Sequence, residues 1–132
     1  MKYFTIAELC RSNTADRLGI NNRCRQEHVE NLAALVDNVL DPLRTWWGKP
    51  LTISSGYRCP ELNAAVKGSR TSQHMTGQAA DIDTGDRQQN KLLFEYIKKN
   101  LPFDQLIDES NFAWVHVSYR ADEDNRKQVL KL

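Results

Sequence analysis

The chain has 132 residues, 40% of them hydrophobic and 27% charged, with a formal net charge of +1. That length suits one domain over residues 1–132, burying about two-thirds of its unfolded surface without staples. The even charge balance offers no footprint for nucleic acid or an anionic membrane, and no run approaches the roughly 18 apolar residues that span a bilayer.

Met1-Lys2-Tyr3-Phe4 leads straight into a polar amphipathic segment with no apolar signal core. A cytoplasmic product without a signal peptide is expected, reaching anything outside only after release by another protein. Thr5-Ile6-Ala7-Glu8 fits a capping box and predicts a short helix from Ile6 to about Arg11. Ser12 to Gly19 reads as a second helical turn ended by the glycine. Cys10, Cys24 and Cys59 are an odd number without CxxC spacing and read as reduced thiols, not a disulfide frame.

From Glu27, the residues Val29, Leu32, Leu35, Val36, Val39, Leu40, Leu43 and Trp46 recur at three- and four-residue steps, the signature of the main packing helix. Pro42 is expected to kink or divide it, and Gly48-Lys49-Pro50 to end it. Trp46 and Trp47 read as core and rim aromatics, and His28 as a structural or surface residue.

Leu51 to Ser54 alternates as a strand, and Ser55 to Arg58 turns into a helix that Pro60 opens and Gly68 stops. A loop from Ser69 to Gly77 carries His74, and a strand from Gln78 to Asp83 carries Asp81. Asp86 to Asn100 predicts an amphipathic helix with Leu92, Leu93, Tyr96 and Ile97 buried. Asp104 to Glu109 and Trp114 to Tyr119 form a hairpin through Ser110 to Ala113, and Gln128 to Leu130 can add an edge strand. The fold class is α+β, a small, mostly antiparallel sheet packed on helices.

Strand parity then places the chemistry. Side chains alternate between faces, so one sheet can bury Ile53, Ile82, Leu106, Val115 and Val117 while its other face carries Asp81, Glu109 and His116. His74 and Asp81 stand seven residues apart, with Gly77 between them to let the chain bend back. Two imidazoles and a carboxylate make a three-ligand set with a position left open, which suits catalytic Zn²⁺ and would also suit non-haem Fe(II). Zinc lowers the pKa of bound water to about 7. Amide hydrolysis also needs a base, and Glu109 is the carboxylate that parity brings nearest.

Ser72-x-His74-x-x-Gly77-x-Ala79-x-Asp81, followed by Trp114-x-His116, resembles the D-Ala-D-Ala metallopeptidases, metallopeptidase family fifteen, whose zinc fold is shared with hedgehog signalling domains. Phe4 to Leu9, Asp41 to Arg44, Ser55 to Arg58, Leu62 to Val66 and Phe103 to Ile107 are similar to its small single-domain phage and bacterial branch. The resemblance implies His74, Asp81 and His116 as zinc ligands and Arg58 as the arginine that engages substrate. It places Ser72 and Gln73 where contacts to substrate or metal ligands are expected, and Trp114 beside the peptide. The pattern departs at the base. Several relatives carry the acid three residues before the last histidine, where this chain has Ala113. Glu109 lies seven before, closer to the hedgehog-type spacing, with Asp108 as the fallback.

The expected function is a monomeric zinc peptidase acting on peptidoglycan stem or cross-bridge peptides in phage lysis or wall remodelling, as a D-Ala-type carboxypeptidase or an endopeptidase. The alternative is a zinc-stabilised binding or virion structural module without turnover. An Fe(II) oxygenase fits less well, since its acid usually follows the first histidine by two residues.

Overall fold

The computed structural model covers residues 1–132. Thr5 Oγ1 accepts the Glu8 amide to open α1 (Ile6–Cys10), and Ser12 Oγ does the same for Ala15 at the start of α2 (Asn13–Leu18). Each such cap satisfies an amide that has no partner within the helix. The apolar repeat becomes α3 (Gln26–Leu35), a π-helical turn over Val36–Leu40, and α4 (Asp41–Trp47).

Pro42 does not divide this column. Its ring has no amide to donate and would crowd the carbonyl four residues back in a regular α-helix. The π turn, closed by the Asp41 amide on the Val36 carbonyl, inserts one extra residue into the ladder just before the proline. Leu40 and Asp41 therefore keep helical dihedrals. Leu32, Leu35, Val36, Val39, Leu40 and Leu43 are all fully buried, each contributing about 1.5–3 kcal/mol by leaving water. Trp47 packs at the core margin, and exposed Trp46 stacks on Tyr96 at 4.0 Å.

The sheet comprises β1 (Ile53–Ser55), β2 (Ala79–Ile82), β3 (Gln105–Glu109), β4 (Trp114–Ser118) and β5 (Gln128–Lys131), in the spatial order β1-β2-β4-β3-β5. All neighbours are antiparallel except β3 and β5, which run parallel. Ile82, Leu106, Val115 and Val117 point into the core shared with the long helical column, as their parity requires.

Between β1 and β2 run α5 (Pro60–Ala65) and a 3₁₀ turn over Gln73–Thr76. The left-handed residue after α5 is Lys67 (φ 59°), not Gly68. The helix α6 (Arg87–Asn100) follows β2, and its buried stripe is Asn90, Leu93, Phe94 and Ile97. Leu92, expected inside, is exposed. Asn90 fixes this rotation: its Nδ2 donates to the Phe112 and Ala113 carbonyls, turning Phe94, one helical turn on, inward against Phe112.

The thiol reading is corrected as well. Cys10 and Cys24 form a disulfide, and Cys59 alone stays free, its Sγ accepting the Leu62 amide at the start of α5. Asn22 explains the juxtaposition. Its Nδ2 donates to the Cys10 and Tyr57 carbonyls, both at 2.9 Å, and its Oδ1 accepts the Cys59 amide at 2.7 Å, drawing the loop before α3 against α1. A spacing of 14 residues carries no linear signal for that proximity.

Closing a loop of this size stabilises a fold by about 3 kcal/mol, chiefly by restricting the unfolded chain. The double variant Cys10→Ser, Cys24→Ser is expected to unfold at correspondingly lower urea, and the wild type to match it only in the presence of reductant.

Candidate metal centre and its groove

The centre begins with a cross-strand pair. Asp81 on β2 stands directly opposite His116 on β4, and Asp81 Oδ1 lies 3.0 Å from His116 Nδ1. His74 enters from the 3₁₀ turn, its Nε2 lying 3.3 Å from the same carboxylate oxygen. All three residues are buried, and their ligating atoms fall within 4.8 Å of one another.

The approach of His74 depends on the backbone around it. Its Nδ1–H donates to the Gly56 carbonyl at 2.7 Å, which fixes the tautomer and leaves the Nε2 lone pair facing the cluster. That Nε2 is buried and has no hydrogen-bond partner. Gly77 ends the turn with φ +77°, and a Cβ there would meet the His28 carbonyl oxygen at 2.7 Å. His28 is structural: it stacks on Tyr57 and accepts the Arg25 amide at Nδ1.

A buried, partnerless imidazole nitrogen beside a second imidazole and a carboxylate fits a divalent cation of the zinc class. Burial pushes the Asp81 carboxyl up, but His74 and His116 together outweigh it and hold the group below the usual carboxylate range.

The cluster lies at one side of a groove of about 710 Å³. Arg58, Ser72, Gln73, Glu109 and Trp114 all line it. Arg58 Nη1 donates to Asn63 Oδ1 at 3.1 Å, while its Nε is buried without a partner. Burial pulls the guanidinium down from its ordinary value, opposed by Asp81 and Glu109. Gly68 makes that hydrogen bond possible, because a Cβ there would overlap Asn63 Oδ1 and crowd Arg58 Nη1.

Ser72 Oγ accepts the His74 amide. Gln73 Nε2 donates to Asp104, a fully buried acid that also holds Arg126 and lies 3.0 Å from Arg120 Nε. Both side chains therefore brace the loop that carries His74.

Glu109 reaches the groove at the end of β3, opposite Trp114, with no bulge between it and His116. Burial pushes its carboxyl above the ordinary value, partly offset by His116. Beyond Glu109 the hairpin turns through three left-handed residues, Ser110, Asn111 and Phe112. Such backbone costs roughly 1–2 kcal/mol per non-glycine residue. Arg87 Nη1, donating to the Ser110 and Asn111 carbonyls at 2.6 Å, helps hold it. Asp108 is turned away from the groove and accepts the Phe112 amide.

Asn63, Asp104 and Asn22 are supports to which sequence reasoning assigned no role, although the first two lie in the family-like segments Leu62–Val66 and Phe103–Ile107. They act through contacts 5, 31 and 37 residues away along the chain, which no local pattern reports.

The family described as Peptidase M15 matches residues 2–118. The chain belongs to this family. No curated protein matches it.

Two outcomes follow from the geometry. Zinc titration is expected to show stoichiometric binding in the wild type and loss of at least a hundredfold in affinity in His74→Ala or His116→Ala. Asp104 bears on acid stability. Burial pushes its carboxyl up, but Arg126 and Gln73 outweigh this and bring it down to about 2. With an unfolded value of about 3.9, its contribution of about 2–3 kcal/mol is complete above that pH and is lost as pH falls through about 2. An Asp104→Asn variant should show a flatter stability profile across that window in chemical denaturation.

Proposed function

We propose, from membership of the peptidase M15 family, that this protein is a zinc-dependent peptidase hydrolysing peptidoglycan stem or cross-bridge peptides. One observation carries the reading: the buried His74–Asp81–His116 cluster, with a partnerless imidazole nitrogen, lies in a groove that Arg58 and Glu109 also line. His74 Nε2, Asp81 Oδ1 and His116 Nδ1 would hold the metal. When bound, zinc supplies Lewis acidity that polarises a carbonyl and acidifies water.

The remaining work belongs to side chains. Glu109 takes the proton of the attacking water and returns it to the leaving amine. Its environment raises its affinity for that proton. Arg58, steadied by Asn63, presents its remaining N–H groups to a substrate carbonyl or carboxylate, a task for which a planar guanidinium is shaped. Trp114 gives the peptide an apolar wall beside the cluster. Every group comes from one chain, so a monomer suffices.

A second cavity of about 260 Å³ adjoins at Arg58, Asp81 and Trp114 and is lined by Ser12, Thr14, Ser54 and Ser55. Space on both sides of the cluster favours cutting within a peptide over releasing its last residue. Action on the wall would take place during phage lysis or wall remodelling. A zinc-stabilised module without turnover is the competing reading, favoured by Ala113 at the position where several relatives carry their acid.

Zinc-loaded protein incubated with purified peptidoglycan is expected to release fragments with new free amino groups on cross-bridges, read by mass spectrometry. Glu109→Gln should lower the rate about 10²–10⁴-fold with zinc content unchanged. Intact walls from several hosts, with zinc still bound, would instead identify the non-catalytic module.

A further inference from the structure

The groove extends well past the cluster, and strand register defines its floor. On the cluster face Asp81 pairs with His116, His116 with Ile107, and Ile107 with Leu130, forming one row across four strands. Adjacent strands lie about 4.8 Å apart, so Leu130 stands roughly 10 Å from His116 along this row. An extended peptide advances about 3.4 Å per residue, so roughly three residues cover that distance.

Ile107 and Leu130 both line the groove and make this stretch of its floor apolar. Among the charged groups that line it, Asp81 belongs to the cluster, Glu109 follows Ile107 on the same face of β3, Arg58 is hydrogen-bonded to Asn63, and Arg126 is engaged with the buried Asp104. Lys67 lines the groove, is exposed, and forms no ion pair within the chain. The wall is fixed before any ligand arrives. The Arg126 and Gln128 amides donate to Asp104 Oδ1 and Asp104 O, both at 2.9 Å, and β5 continues in parallel register with β3. Leu130 lies beyond the residues that the family pattern covers.

We infer that Ile107 and Leu130 floor a subsite for an aliphatic side chain about three residues from the scissile bond, with Lys67 left free in the same groove to meet a carboxylate of the bound peptide. The inference rests on the peptidase reading for its substrate, and the ligand class is an acidic peptide carrying an aliphatic residue. Preorganisation by β5 means that little ordering cost opposes the contact.

The test uses the zinc-loaded protein and synthetic peptides of the peptidoglycan stem and cross-bridge type, carrying Leu or Ser three residues from the cut. The substitution is made on each side in turn, with and without an adjacent carboxylate. Preference is read as kcat/KM, and separately as Kd by calorimetry on zinc-loaded Glu109→Gln, which reports binding without turnover. Wild type is expected to favour Leu over Ser by about tenfold on one side. Leu130→Ser should reduce that ratio to about twofold or less, and Lys67→Glu, an exposed change that spares the core, should remove the advantage of the carboxylate. Cleavage without preference, or preferences unchanged in both variants, overturns the subsite and leaves the peptidase reading standing. Preference in Kd without any cleavage supports the subsite and overturns the peptidase reading. Neither binding nor cleavage overturns both.

Discussion

The antiparallel pairing of β2 with β4 is the constraint on which the site depends. It sets Asp81 opposite His116, and the same register sends Ile82 and Val115 into the core. A slip of one residue would turn Asp81 and His116 inward and both apolar side chains outward. Burial of the core face therefore enforces the geometry of the polar face. Because the Asp81–His116 pair follows from a register the core already demands, it needs no additional strain.

His74 is positioned differently, by backbone rather than by a sheet. Gly56 supplies the carbonyl that orients its ring, and the Arg58 amide donates back to the His74 carbonyl. The Gly56–Arg58 segment is itself tied to α1 and its neighbouring loop, through the Tyr57 amide on the Leu9 carbonyl and through Asn22. The disulfide links the two chain segments that Asn22 also bridges. The start of the chain, α1 and the loop after α2, thus holds the Arg58 turn and one member of the cluster together. This gives a structural reason for the family pattern to reach back to the first residues.

Asp104 plays the corresponding part between the His74 loop and β5. Fully buried, it joins Gln73 on the His74 loop to Arg126 on the approach to β5. Leaving such a carboxylate unpaired would cost several kcal/mol, so the two walls are coupled through one charge. The left-handed turn after Glu109 is coupled in turn to α6 by Arg87 and Asn90, whose donors occupy its carbonyls.

Local patterns reveal much of this protein. Period-two alternation in Gln78–Asp83 and Trp114–Tyr119 separates the core face from the face that carries Asp81 and His116, and the three- and four-residue repeat from Glu27 gives the packing helix. These readings succeed because burial acts on side chains whose directions the backbone period dictates. The spacing of His74, Gly77 and Asp81 adds a turn that only glycine takes without strain at φ +77°. Tertiary structure decided what period cannot carry. It placed Cys10 against Cys24, rotated α6 so that Asn90 and Phe94 face inward, let a π turn absorb Pro42, and laid Leu130 beside Ile107. Each of these is a proximity between segments distant along the chain, or a local distortion imposed by packing. The free energy that selects it comes from the assembled core and its hydrogen bonds, not from the residues' own neighbours in sequence.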